Sequence, residues 1–168
     1  AENCNFRGCT FNGIEFGAEN LTSLDFNGCI FNDCRFSARN LVNVDFSNCT
    51  FNEVDFSARL ISQAIFESAE INESRFRCSL IETCDFKELR LNNSIIYNST
   101  FTGSNLSDFE ANDSSFKDCD FEACFISEHH PAMLDSTRVK ALDTIFIADH
   151  EVVVRYSSSD DISEESLT

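Results

Sequence analysis

Cysteine is the residue type in this chain with the most chemistry to offer. There are nine in 168 residues. Cys119, Cys124 and His129 follow one another at intervals of five, which superficially suggests zinc ligands. Cys9, Cys29 and Cys49 are separated by twenty, and the histidines (His129, His130 and His150) all lie in the last quarter. Carboxylates are abundant, with 29 Asp and Glu against 12 Lys and Arg. Yet no Gly-rich phosphate loop, HExxH helix or nucleophile elbow accompanies them. The odd cysteine count argues against a disulfide scaffold. Eight of the nine cysteines share one slot of a regular pattern, where a thiol behaves as a small hydrophobe. The chain therefore reads as no enzyme: no catalytic residue, no metal site and no cofactor is expected.

The pattern that claims the cysteines is a repeat of five. Stepping from Phe6 gives Phe11, Phe16, Leu21, Phe26 and Phe31, and the series runs to Ile126 through 25 positions, only Ala111 being small. The residue two before each is usually small or modestly apolar, as at Cys4, Cys29, Val44, Ala69 and Cys124. In an extended segment these two point to the same side and the residue between them points away. A period of five cannot persist in a straight strand, because the inward set would change sides at each repeat. The other two residues must turn a corner, and Asn12-Gly13, Asn27-Gly28, Asn32-Asp33 and Asn112-Asp113 are turn chemistry. Gly17-Ala18-Glu19-Asn20-Leu21, Ser37-Ala38-Arg39-Asn40-Leu41 and Ser57-Ala58-Arg59-Leu60-Ile61 recur every twenty residues, so four repeats close one square turn. Stacked at about 4.8 Å, about six coils make a rod about 30 Å long.

These residues resemble the pentapeptide-repeat family, over about residues 2–130. The resemblance implies an all-β, right-handed quadrilateral β-helix. Members of the Qnr and MfpA type resemble duplex DNA in shape and charge and act on DNA gyrase; others are modules of secreted bacterial effectors. Residues 1–130 are thus expected to form the β-helix and 131–168 a C-terminal cap. Pro131, the only proline, has no N–H for a sheet ladder and should end the solenoid. Beyond it, Val139, Leu142, Ile145 and Phe146 make an apolar stripe at helical spacing, so a capping helix is expected over Asp135–Ile147. Val152, Val153 and Val154 suggest a short strand pairing with the last coil or with another subunit. With Val139, Leu142 and Phe146 they form the expected cap or homodimer segment. The acidic, serine-rich residues after 156 read as a tail.

The outward columns carry the functional expectation. A formal charge of −17 excludes nucleic acid and acidic membrane as partners and favours a basic protein surface, DNA gyrase among the candidates. Asp25, Asp45 and Asp85 fall in one column with Asn5, Ile65 and Asn105 and are the expected partner-binding acids. Glu15, Arg35, Asp55 and Arg75 alternate in sign down another, an ordinary stabilising ladder. Leu60, Ile65, Leu80 and Ile95 are outward apolar residues that would make a contact patch. Glu19, Arg39 and Arg59 occupy an inward slot, each preceded by alanine. Either the corner is altered to send alanine in and the charge out, or a Glu19–Arg39 pair is partly buried. No stretch approaches a membrane span and no signal peptide opens the chain, so a cytoplasmic location is expected. The reading is a non-catalytic, acidic protein-binding rod, with DNA mimicry toward a type II topoisomerase as its sharpest form. The alternative is a structural or targeting module of a larger secreted effector, which the missing initiator Met and uncapped first coil would suit.

Overall fold

The computed structural model describes residues 2–117, 119–127, 140–142, 144–148 and 151–155. Thr10–Asn12 pairs in parallel with Ile30–Asn32, and the ladder continues through Thr50–Asn52, Glu70–Asn72 and Arg90–Asn92 to Glu110–Asn112. Every step in that ladder is twenty residues, so the chain is an all-β right-handed solenoid of about six turns. Its four faces are named by their first core residues, Phe6, Phe11, Phe16 and Leu21.

Most corners depend on one left-handed residue, two after the core position. Glycine suits it, at Gly8 (φ 67°), Gly13 (63°), Gly28 (70°) and Gly103 (58°). Asp33, Glu53, Glu73 and Thr83 are held there too, with φ from 50° to 55°. Ala18, Ala38, Ala58 and Cys78 occupy the same position after the Phe16 column, and none has a positive φ. In the third and fourth coils this corner is replaced by unbroken strands, Asp55–Ser62 and Arg75–Glu82. Without a left-handed residue at this corner in any of the four coils, extended alternation turns Ala38 and Cys78 into the core, 2% and 0% exposed, and leaves Glu19, Arg39 and Arg59 outside. Alanine goes in and charge goes out, as the first of the two alternatives has it. The left-handed corner returns at Asn98 (φ 49°), after which Ser99 and Cys119 are buried in the usual slot.

The core is built of ring columns. Phe16, Phe36, Phe56 and Phe76 stack near-parallel with centroids 4.6, 4.5 and 4.6 Å apart. Phe6, Phe26, Phe46, Phe66 and Phe86 do the same on the first face at 4.9–5.4 Å. Rings of neighbouring columns meet edge to face, as Phe31 and Phe36 do at 71°. Phe6, Phe11 and Phe16 are only half-buried, whereas Phe26, Phe31 and Phe36 below them are fully enclosed. Buried serines are satisfied by the adjacent coil: Ser74 Oγ accepts the Val54 N–H at 2.9 Å and donates to the Asn72 carbonyl at 2.6 Å.

The register survives Pro131. Lys140–Leu142 pairs in parallel with Asp120–Glu122, and Thr144–Ala148 with Phe125–Ser127, again at twenty residues. The capping helix expected over Asp135–Ile147 is therefore corrected wherever that segment is described: both described stretches are strands, and residues 135–139 and 143 lie outside the described residues. Thr144, Ile145 and Ile147 are β-branched, and Ala141 and Phe146 stand on the five-residue frame counted from Ile126. Those preferences outweigh a helical stripe of four residues. Glu151–Arg155 turns back antiparallel on Thr144–Ala148, placing Val152, Val153 and Val154 opposite Ile147, Phe146 and Ile145. The described residues include no helix, and thus none long and apolar enough to cross a membrane.

Candidate partner-binding surface

Asp25, Asp45 and Asp85 form a continuous column on the Phe6 face, bridged from Asn5 through Ile65 to Asn105. They are half-buried, because each turns back on its own corner. The carboxylate Oδ1 of Asp25 accepts the Asn27 N–H at 3.1 Å, that of Asp45 the Ser47 N–H at 2.8 Å, and that of Asp85 the Lys87 N–H at 3.0 Å. Asn5 and Asn105 perform the same task with an amide oxygen, accepting from Arg7 at 3.0 Å and Ser107 at 3.1 Å. Where the column offers an acceptor, the corner uses a neutral amide oxygen and a carboxylate alike; Ile65, in the same column, offers none. The three carboxylates are thus a charge surplus beyond what the turn requires. Arg7 partly offsets the first of them, its Nε 3.3 Å from Asp25.

A second acidic column was not legible from strand positions alone. Asp33, Glu53, Glu73 and Asp113 occupy left-handed corner residues after the Phe11 face, all exposed. Beside them runs a ladder of six asparagines, Asn12, Asn32, Asn52, Asn72, Asn92 and Asn112. From Asn32 onward each Nδ2 donates to the asparagine Oδ1 of the coil before, at 2.8–3.0 Å. Counting by twenty from Asn12 would have found it.

The apolar candidates are spread over three adjoining faces. Leu60 and Leu80 are paired neighbours, both half-buried on the Leu21 face. Ile95 belongs to the Phe16 face, opposite Arg75, and Ile65 to the Phe6 face, 39% exposed. Of the expected cap residues, Val139 lies outside the described residues. Leu142 ends a coil strand and Phe146 pairs with Ile126.

Five of the buried thiols are made poor nucleophiles by their surroundings. Burial pushes Cys49, Cys78 and Cys84 up to about 12, and Cys29 and Cys124 also upward. Cys29 and Cys49 instead donate to the carbonyls of Phe6 and Phe26, each at 3.0 Å. Among the described residues no group of three or more His, Cys, Asp or Glu could hold a metal ion; His129 and its neighbours lie outside them.

Charge is sorted by face. Of the nine Lys and Arg in residues 2–127, six (Arg35, Arg39, Arg59, Arg75, Arg77 and Lys117) lie on the Phe16 face or at the corner that follows it, with the described acids Glu15, Glu19 and Asp55; Asp118, next to Lys117, lies outside the described residues. The other faces are strongly acidic.

Residues 1–76 match the family model described as a pentapeptide repeat region. Among solved structures the chain is similar to full-length QnrB1, a plasmid-mediated fluoroquinolone resistance protein. Identity is 14% over 82% of this chain and 93% of that one, with a TM-score of 0.30. It is also similar to HetL, a pentapeptide repeat protein involved in heterocyst differentiation regulation from the cyanobacterium Nostoc sp. strain PCC 7120. There the identity is 12% over 75% of this chain and 73% of that one, with a TM-score of 0.32. No curated protein matches the chain.

Proposed function

Taking as premise that the chain belongs to the pentapeptide-repeat family, we propose that it is a non-catalytic protein-binding module that offers columns of carboxylates to a basic partner surface. Its partner on this reading is the DNA-binding surface of a type II topoisomerase such as DNA gyrase, which would receive the acidic rod in place of DNA. The observation that carries the reading is the Phe6-face column. Asp25, Asp45 and Asp85 keep a negative charge at corners where Asn5 and Asn105 make the same hydrogen bond without one. Spaced by one and then two coil repeats of about 4.8 Å, with Asp33, Glu53 and Glu73 on a further edge, they create a field no isolated acid would give. Subunits would pair through the outer edge of the Glu151–Arg155 strand, which has no further partner among the described residues.

The test is a supercoiling assay with purified gyrase. Wild-type protein should inhibit supercoiling, or protect the enzyme from a fluoroquinolone, at micromolar concentration. The triple variant Asp25→Asn, Asp45→Asn, Asp85→Asn should keep the fold and lose the effect at least tenfold. Inactive wild-type protein would refute the gyrase assignment. A fully active triple variant would refute the column.

A further inference from the structure

We propose that the Phe16 face is a second binding surface, opposite in sign to the rest of the rod, and that it takes a short acidic segment of another polypeptide. Arg59, Arg75 and Arg77 carry the argument. Arg7, Arg35, Arg39, Lys87 and Arg90 each sit within 4 Å of a carboxylate. Among the described residues, Arg59, Arg75 and Arg77 have no such partner, although the chain holds 29 acids. All three are exposed, in consecutive coils, on the two unbroken strands Asp55–Ser62 and Arg75–Glu82. Both strands pass this corner without a left-handed residue, and alternation from Asp55 through Ser57 puts Arg59 on the outside with them.

The dimensions and borders select the occupant. From the second coil to the sixth the strip spans four coil steps, about 19 Å, and is about four residues or 13 Å wide. One border is the corner column of Asp33, Glu53 and Glu73; on the other side lie Glu82 and Asp120. An extended peptide of about six residues fits between them, and the fork of an arginine accepts a carboxylate with two parallel hydrogen bonds. A nucleic acid duplex carries phosphates on both flanks and would meet both acidic borders. The strip therefore excludes by its edges what it attracts at its centre, an arrangement that gives specificity through repulsion as much as attraction.

Fluorescence anisotropy with a labelled hexaglutamate peptide tests this on the full chain at low ionic strength. Binding should be saturable and should weaken with added salt. The triple variant Arg59→Gln, Arg75→Gln, Arg77→Gln should lose at least tenfold in affinity. A control triple, Arg7→Gln, Lys87→Gln, Arg90→Gln, changes the net charge equally and should bind within twofold of wild type. Far-UV circular dichroism confirms that both variants are folded. Absence of hexaglutamate binding to wild-type protein would overturn the proposal, as would equal losses in the two triples. Tighter binding of a hexathymidylate oligonucleotide than of hexaglutamate would overturn the choice of a polypeptide.

Discussion

Replacing Asp45 by alanine and by asparagine separates what its carboxylate does for the corner from what its charge does at the surface. Asp45 Oδ1 accepts the Ser47 N–H at 2.8 Å and also takes the Ser47 hydroxyl. Ser47 is only 8% exposed, so water cannot readily replace the lost acceptor. Leaving a buried N–H unsatisfied costs about 1–3 kcal/mol. Asp45→Ala should therefore destabilise by about 2 kcal/mol, which for a chain of this size is a fall in Tm of about 4–8 °C. Asp45→Asn keeps an oxygen at the same position, as Asn5 and Asn105 do in the same column, and should cost less than about 0.5 kcal/mol. Urea unfolding followed by far-UV circular dichroism measures both. If asparagine proved as destabilising as alanine, the charge itself would be holding the corner and the surplus argument would fail. If alanine cost nothing, the hydrogen bond would have no energetic role.

In the asparagine ladder, Asn72 bonds to both Asn52 and Asn92, whereas Asn12 bonds only to Asn32. At about 1 kcal/mol per bond, Asn72→Ala should destabilise about twice as much as Asn12→Ala in the same urea assay. Thr83 is a β-branched residue at φ 50° in a column where Asn43 takes φ 54°. Thr83→Asn should thus raise stability by about 1 kcal/mol, and a loss would show that the left-handed corner is unstrained. Cys49, Cys78 and Cys84 keep their protons to about pH 12 when folded and release them near 9 when unfolded. Their contribution is intact below about pH 9 and should drain away as pH rises from 9 to 12, so the urea midpoint should fall across that window. With a thiol reagent on native protein, exposed Cys9 and half-buried Cys4 should react first, and the seven buried cysteines only on unfolding.

The coil was legible because a five-residue pattern leaves the chain few alternatives. A large apolar residue every fifth position, with a small one two before it, must close a square to keep both inside, and the twenty-residue motif around Ala18, Ala38 and Ala58 gives the number of sides. The acids at 25, 45 and 85 were legible as an outward column, but not as hydrogen-bond acceptors of their own corners, since that depends on how the next two residues turn. The helix expected after Pro131 illustrates the limit. Val139, Leu142 and Phe146 fit a helical stripe, yet Ala141 and Phe146 also fit the five-residue frame, and the open edge of the last coil favours a strand.

Sequence by itself determined the period, the coil size and nearly all of the core, because each is a local requirement repeated until it admits one solution. Only the tertiary structure decided the sorting of charge. Residues such as Ser57 and Arg77, twenty apart in the chain, become neighbours when coils stack, and Arg59 faces outward because its corner lacks the left-handed residue that the other corners use. Which acids remain surplus, and which arginines remain without a carboxylate, are properties of pairs brought together across coils. Hydrogen bonds and ion pairs form between side chains that meet in space, and that meeting is set by the stacking of the solenoid.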